Sequence, residues 1–368
     1  MVISKSSPLQ VITAPKALIS PRAVDLTLRE PLAGFTAAAA MAFAHPTHLA
    51  NLSIPKAERI YLPERHYPEV TVTITVKTGD TGERPCHTLK ARAYRGLRRG
   101  LRQVTPLDLN GQFILDGRFG RDQDIAHGID RIAFPVLFAQ RALSKQLGQT
   151  VKIHVVLPER PGYLIRQVYE TLGIPIIFTD DNVHGNIVSL STHKIYSAIP
   201  NLANIELYES NQPTPQRLFI TQRGDRSVTN CWEISNFLEQ RGFVTCYVED
   251  YSPRQQWMMM RHARAMVMVH GVACAHLAFN QVGLDGVRPG PRILEIFSPY
   301  ASLQGRRYLA PLLHGKWCAV RGRMTPEVVR TVDFRDWDNQ LSPLVSPIKR
   351  RFHVDVDTVA MGLDYLQI

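Results

Sequence analysis

From residue 217 to residue 299 the chain alternates short apolar runs with helix-like segments: RLFIT then NCWEISNFLEQRG, FVTCYVED then SPRQQWMMMRHAR, AMVMVHG then ACAHLAFNQVG, and finally RILEIFSP. Strands that alternate with helices are joined by right-handed crossovers, and those crossovers give a parallel sheet. In open α/β sheets ligands sit outside the carboxyl ends of the strands. Here that edge is polar or small in every case. Arg223 and Arg226 follow RLFIT, His270 and Gly271 follow AMVMV, and Glu295 lies in the last strand.

The same grammar runs through residues 124–205. DIAHGIDRIAFPVLFAQRALSKQLG predicts a helix with a break at Pro135. VKIHVVLP and IPIIFTDD predict buried strands, and PGYLIRQVYETLG between them predicts a helix ending at Gly173. IELYESNQPTPQ is a polar, proline-bearing connector. Upstream, RIYLPERHYPEVTVTITVKTG has the period-two pattern of strand, YRGLRRGLRQV reads as a solvated basic edge, and FTAAAAMAFA reads as a short buried helix. The expected fold is α/β, with two domains each built on a parallel sheet. The expected boundaries are 1–205 for an N-terminal domain, with an arm and extra strands in 1–120, then 206–345 for a C-terminal Rossmann-like domain. Residues 346–368 form a tail whose helix, DTVAMGLDYL, is expected to pack back on the first domain.

With 368 residues, 45% hydrophobic and 20% charged, the chain has the composition of a globular protein of two ordinary domains. Its formal net charge of +11 is carried more by Arg than by Lys, and Arg is suited to bidentate recognition of phosphate and carboxylate. The five cysteines are dispersed and form no CxxC pair, which points to reduced thiols in a cytosolic protein and away from a zinc knuckle. No apolar run approaches the roughly 20 residues of a membrane span. The protein is therefore expected in the cytoplasm, with at most a peripheral contact to an anionic membrane at its inner face. Aromatic stacking runs and reader motifs for nucleic acid are missing. GxSxG, Walker and GxGxxG patterns are missing too, which removes the serine hydrolase, P-loop and simple dehydrogenase classes.

Candidate chemistry falls on few residues. Arg223 and Arg226 precede a helix start at Asn230, a natural N-cap, and guanidinium groups beside free helix N–H groups make an anion site. Surface arginines with Asp225 as a local partner are the plain alternative. His270 can donate to a phosphate or act as a base, and Gly271, Ala273 and Ala275 leave room beside it. His276 is a second histidine in the same turn. Glu295 interrupts an apolar strand, where a carboxylate is costly unless paired or bound. It suits ribose hydroxyls, or else a salt bridge to Arg292 or Arg307. Together these groups suit a nucleotide diphosphate. His127 and Asp130, three apart on a helix, share a face and suit a base on an acceptor hydroxyl, with a buried capping histidine as the alternative. The D-x-D pairs Asp122/Asp124, Asp336/Asp338 and Asp355/Asp357 are scattered, and HVDVDTV fits an alternating strand. No metal is assigned to any of them.

The order R-x-x-R-x-x-x-N, then H-G-small-small, then L-E-I-F-x-P resembles glycosyltransferase family 61. Arg223 and Asn230 fall on the family's arginine and "NE" pair, HGVACAH on its HGAGLTN-like segment, and Glu295 on the acid of its "LELF" strand. His127 resembles the histidine near the start of its "HWL…LPRL" helix. Cys231 replaces the usual Glu, Ala273 a usual Gly and His276 a usual Asn, and Asp130 stands one residue earlier than the family's acid. The resemblance implies a GT-B-like α/β fold, two Rossmann-like domains with parallel sheets facing a cleft, and an inverting transfer without bound metal or other cofactor. The donor would be a nucleotide-diphosphate sugar, UDP-linked, and the acceptor a hydroxyl of a cell-surface polysaccharide, capsular or exopolysaccharide, or of a glycan on a lipid carrier. It assigns donor binding to Arg223, Arg226, Asn230, His270, Gly271, Ala273, His276 and Glu295, and catalysis to His127 with Asp130. A non-catalytic nucleotide- or glycan-binding member and a metal-dependent sugar transferase are the alternatives.

Overall fold

Alternating burial in VTVTITV sets the first sheet. Val72, Ile74 and Val76 are buried and their neighbours are not, the pattern of a strand with one face on a core. The computed structural model describes residues 70–82, 107–118, 125–159, 163–205, 214–298, 307–323 and 350–368, and strand backbone at 2–7, 12–14, 17–21, 57–61 and 65–67. The expectations on FTAAAAMAFA, YRGLRRGLRQV, Asp122/Asp124 and Asp336/Asp338 lie outside the described residues. The chain divides into two units, Met1–Val11 with Pro68–Glu206, and Ile12–Tyr67 with Leu207–Ile368.

The first unit holds β1 (Val2–Ser7), β6 (Val70–Asp80), β7 (Leu107–Asp116), β8 (Ile153–Leu157), β9 (Ile176–Phe178) and β10 (Val183–Leu190), in the order β1–β6–β10–β7–β8–β9. From β10 to β9 all neighbours are parallel, whereas β6 is antiparallel to both β1 and β10. The sheet is thus mixed, not parallel throughout. The expected helix runs Ile125–His127, passes through a π turn at Gly128–Ala133 and continues as α1 (Phe134–Leu147). Pro135 stands in the first turn of α1 and does not end the helix. The Phe134 N–H reaches back to the Ile129 carbonyl, the i→i−5 bond of a π turn, which accommodates a proline that cannot donate. α2 (Tyr163–Thr171) stops before Gly173, whose φ is +65°.

The second unit holds β2 (Ile12–Ala14), β3 (Ala17–Pro21), β4 (Ala57–Tyr61), β5 (Arg65–Tyr67), β11 (Arg217–Thr221), β12 (Val244–Tyr247), β13 (Ala265–Val269), β14 (Arg292–Phe297) and β15 (Lys316–Arg321). Seven of these form one sheet, β12–β11–β13–β14–β15–β3–β4, parallel except for β4, while β2 and β5 pair separately. The extra N-terminal strands β3 and β4 therefore extend the sheet of the second unit, because β15 offers them a free parallel edge. α3 (Cys231–Glu239) and α5 (Val356–Leu366) cover one face, where Phe219, Val267, Leu294, Ile296 and Val320 meet Ile234, Leu363 and Leu366. On the other face α4 (Pro253–Arg261), started by a Ser252/Gln255 capping box, packs against a 3₁₀ helix at Val272–Phe279.

The C-terminal helix corrects an expectation. α5 packs on β14, β15, β3 and α3 of its own unit, because its buried side chains complete the core over that sheet. HVDVDTV is likewise no regular strand. Phe352 forms an isolated bridge to Val228, and Asp355 takes the N-cap position of α5. Close approach of α5 to the sheet is set by Gly362, where an added Cβ would lie 2.6 Å from Leu294 Cδ1 and 3.0 Å from Val320 Cγ1. Gly362→Val should cost about 1–3 kcal/mol by overpacking, read as a lower urea midpoint. An unchanged midpoint would mean that α5 is not docked in this way.

Candidate functional site

Side chains alternate across the sheet of the second unit. Leu294, Ile296, Cys318 and Val320 face α3 and α5, so Glu295, Phe297, Trp317 and Arg321 belong to the opposite face. There Glu295 is 1% exposed. Its Oε1 accepts from His270 Nδ1 at 2.6 Å and its Oε2 from Trp317 Nε1 at 2.9 Å. His270 stacks on Phe297, with ring centroids 4.4 Å apart. Both carboxylate oxygens are thus engaged inside the protein. Glu295, expected to meet a ribose or an arginine, instead orients the imidazole. With Nδ1 occupied, His270 has Nε2 left for a ligand, and its side chain is 27% exposed at the carboxyl edge.

Cys274 completes a cluster with His270 and Glu295 in which the ligand-type atoms lie within 4.8 Å of one another. Burial, and then the neighbouring Glu295, holds the Cys274 thiol well above its ordinary pKa. A metal there would need the thiolate and would have to displace the His270–Glu295 hydrogen bond, so this donor set fits a hydrogen-bonded dyad better than a cation site.

The loop after β11 does not match its expected arrangement. Arg223 is exposed, donates to both carboxylate oxygens of Asp250 at 2.6 and 2.9 Å, and lies over the Tyr247 ring at 4.1 Å. Asp250, not Asp225, is its partner, and each shifts the other toward its charged form. Arg226 is half-buried with φ of +62°. A non-glycine residue in that region costs roughly 1–2 kcal/mol, and such strain clusters at functional sites. Asn230 is buried at the N-cap position but caps nothing with its side chain. It donates to Glu233 and to the Val354 carbonyl and accepts from the Val354 N–H. Asn230 therefore ties residues 350–355 across the carboxyl edge. Cys231, where the family has Glu, lies 3.6 Å from Thr221 Oγ1 and 3.7 Å from Tyr247 Oη.

Of the residues after His270, Gly271 is extended with φ of 173°, and a Cβ there would meet Gln222 Oε1 at 3.2 Å. Ala273 is buried. His276 is buried too, and its Nδ1 accepts from Trp257 Nε1. Burial drives its pKa down to about 3, so it is a neutral core residue.

Arg321 carries no motif and was not foreseen. It ends β15 in register with Phe297, is 0% exposed, and none of Nε, Nη1 and Nη2 has a hydrogen-bond partner among the described residues. Burial pushes its pKa down to about 9. Arg118 of the first unit is also fully buried, but it is bonded to Asp116, Thr81 Oγ1 and the carbonyls of Gly82, Thr179 and Asp181. Arg118 is thus a buried guanidinium whose nitrogens are all satisfied. An unsatisfied one at a sheet's carboxyl edge marks a place for an anion.

In the first unit His127 closes the α segment and Asp130 lies in the π turn, so the regular helical spacing assumed for the pair does not hold. His193, also unforeseen, is close enough for His127 to affect it. Its pKa is lowered by desolvation and then by Arg131, Lys194 and His127. Asp355 pairs with Arg323, which removes the third D-x-D from metal binding.

A pH test follows from His276. Its folded pKa of about 3 lies below the ordinary 6.5. Between those values the unfolded chain binds the extra proton, so its contribution to stability is complete above pH 6.5 and is lost as pH falls toward 3. His276→Gln should flatten the stability–pH slope in that window by up to ~1.4 kcal/mol per pH unit. Equal slopes in variant and wild type would contradict a neutral buried His276.

No curated protein matches the chain. The family model described as Glycosyltransferase 61 matches residues 128–290, from the residue after His127 to just before β14, and so includes Arg223, Asn230, His270 and Gly271. That match bears out the resemblance to glycosyltransferase family 61 and supports a glycosyltransferase.

Proposed function

We propose that the second unit binds a UDP-linked sugar at the carboxyl edge of its sheet and that the protein transfers the sugar, with inversion and without a bound metal, to a hydroxyl of a cell-surface polysaccharide or glycoconjugate. The observation that carries this is His270, oriented by a buried carboxylate and left with Nε2 for a ligand, at the edge where open α/β sheets bind nucleotides. The acceptor oxygen would attack the anomeric carbon from the face opposite the leaving group. As the bond from that carbon to the diphosphate breaks, negative charge grows on the phosphate oxygens and must be neutralised in place. Arg226, Arg321, which has no partner among the described residues, and the Nε2 edge of His270 would do this, with the backbone after Gly271. Arg223 has part of its charge answered by Asp250, so it ranks behind them. His127, with Asp130, would take the acceptor's proton, and the two units would be those of a GT-B enzyme. A cytoplasmic protein at the inner face of the membrane, acting on capsular or exopolysaccharide intermediates, fits this chemistry.

One observation favours a second reading. The Arg223–Asp250 pair withholds a cation from the clamp, which suits a member that binds the nucleotide without transfer. UDP-sugar consumption by the purified chain separates the two. Arg321→Met tests the clamp more sharply. Removing a buried charge that has no partner among the described residues should raise the urea midpoint, while UDP affinity and sugar transfer fall at least tenfold. A variant that gains stability and keeps full affinity would remove Arg321 from the site. Glu295→Gln, which keeps the shape but not the charge, should lower kcat/KM by roughly 10²–10³-fold if the dyad serves the leaving group. Unchanged kcat/KM would overturn that role.

A further inference from the structure

The opposite edge of the same sheet holds a second cluster of cations. A cavity of about 470 Å³ opens among Arg217, Arg264, Arg288, Arg292, His262 and Gln281. Arg217 and Arg292 are the first residues of β11 and β14, and Arg264 immediately precedes β13. The strands between this cavity and the carboxyl edge are five or six residues long. At about 3.3 Å per residue they set the two edges roughly 15–20 Å apart.

The walls of the cavity are fixed. Arg264 and Ala265 donate their N–H groups to the Gln216 carbonyl at 2.8 and 3.1 Å, and Arg292 donates its own to the Arg264 carbonyl at 2.8 Å. Gly290 presses so closely on the next segment that a Cβ there would lie 1.9 Å from the Leu313 carbonyl oxygen, an approach only glycine allows. The charges are less well answered than the backbone. Arg288 pairs with Asp285, and Arg217 spends one N–H on the Arg241 carbonyl and lies over the Phe243 ring. Arg292 is half-buried, and its Nη1 is shielded from solvent without a hydrogen-bond partner among the described residues. Four guanidinium groups line the cavity. Setting Asp285 against them still leaves positive charge in excess.

We propose that this cavity is a binding site for a phosphate-bearing anion, separate from the site at the carboxyl edge. Forked guanidinium groups on several segments suit the tetrahedral, multiply charged oxygens of phosphate. The volume exceeds what one phosphate fills and falls within the range of small-molecule sites, so a diphosphate or phosphate ester is the class it takes. This inference does not depend on the sugar-transfer reading.

The test is calorimetric titration of the full chain with inorganic pyrophosphate, and with sulfate at the same ionic strength. Arg264→Glu, an exposed substitution, and Arg292→Gln should each weaken one class of pyrophosphate sites at least tenfold. Arg321→Met should leave that class intact. Thermal unfolding of the Arg264→Glu variant should match wild type, which excludes misfolding as the cause. Wild-type chain that binds no pyrophosphate, binds sulfate equally well, or binds pyrophosphate as tightly as both cavity variants would overturn the proposal.

Discussion

A carboxylate in the middle of a buried parallel strand organises the functional face of this protein. Left unpaired, Glu295 would be destabilising by several kcal/mol. It is accommodated because the strands on either side of β14 each supply a donor, His270 from the end of β13 and Trp317 from β15. The pair of bonds links three adjacent strands through side chains as well as through the backbone ladder. It also determines which imidazole nitrogen is available at the carboxyl edge. Phe297 supports the ring from below, so the orientation of His270 is set by charge, hydrogen bonding and stacking together.

Arg118 and Arg321, two of the buried arginines, are held in opposite ways. Arg118 gathers the ends of several segments of the first unit and has every nitrogen bonded. Arg321 is just as buried and has none bonded among the described residues. Arg226 adds a strained backbone at the turn after β11. Strain and unsatisfied charge both cost stability, and both gather at the edge where the family resemblance puts the donor. The strap at residues 350–355 holds this edge together. It bonds to Ser227, Thr229 and Asn230 on one side and to Arg323 on the other.

Much of the second unit was legible in the chain. RLFIT, AMVMV and RILEIF are strands because uninterrupted apolar runs of that length suit a sheet buried on both faces, and Ser252 with Gln255 starts a helix by a local rule that needs no tertiary partner. Long-range contacts were not legible. Nothing near Glu295 in sequence announces Trp317, and nothing near Asn230 announces Val354. His276 looked like a ligand residue because it shares a turn with His270, yet Trp257 and burial make it core. HVDVDTV has the alternation of a strand, but Asp355 at the start of an apolar helix prevails. Arg321 follows an ordinary apolar run, and only burial without partners distinguishes it.

A sugar donor's nucleotide bound at the carboxyl edge of the second sheet would be visible by hydrogen–deuterium exchange of the full chain with and without UDP. New protection is expected at residues 222–230, 268–274 and 321–323, the turns after β11, β13 and β15. Protection absent from those turns, or confined to the amino ends of β11, β13 and β14, would contradict it.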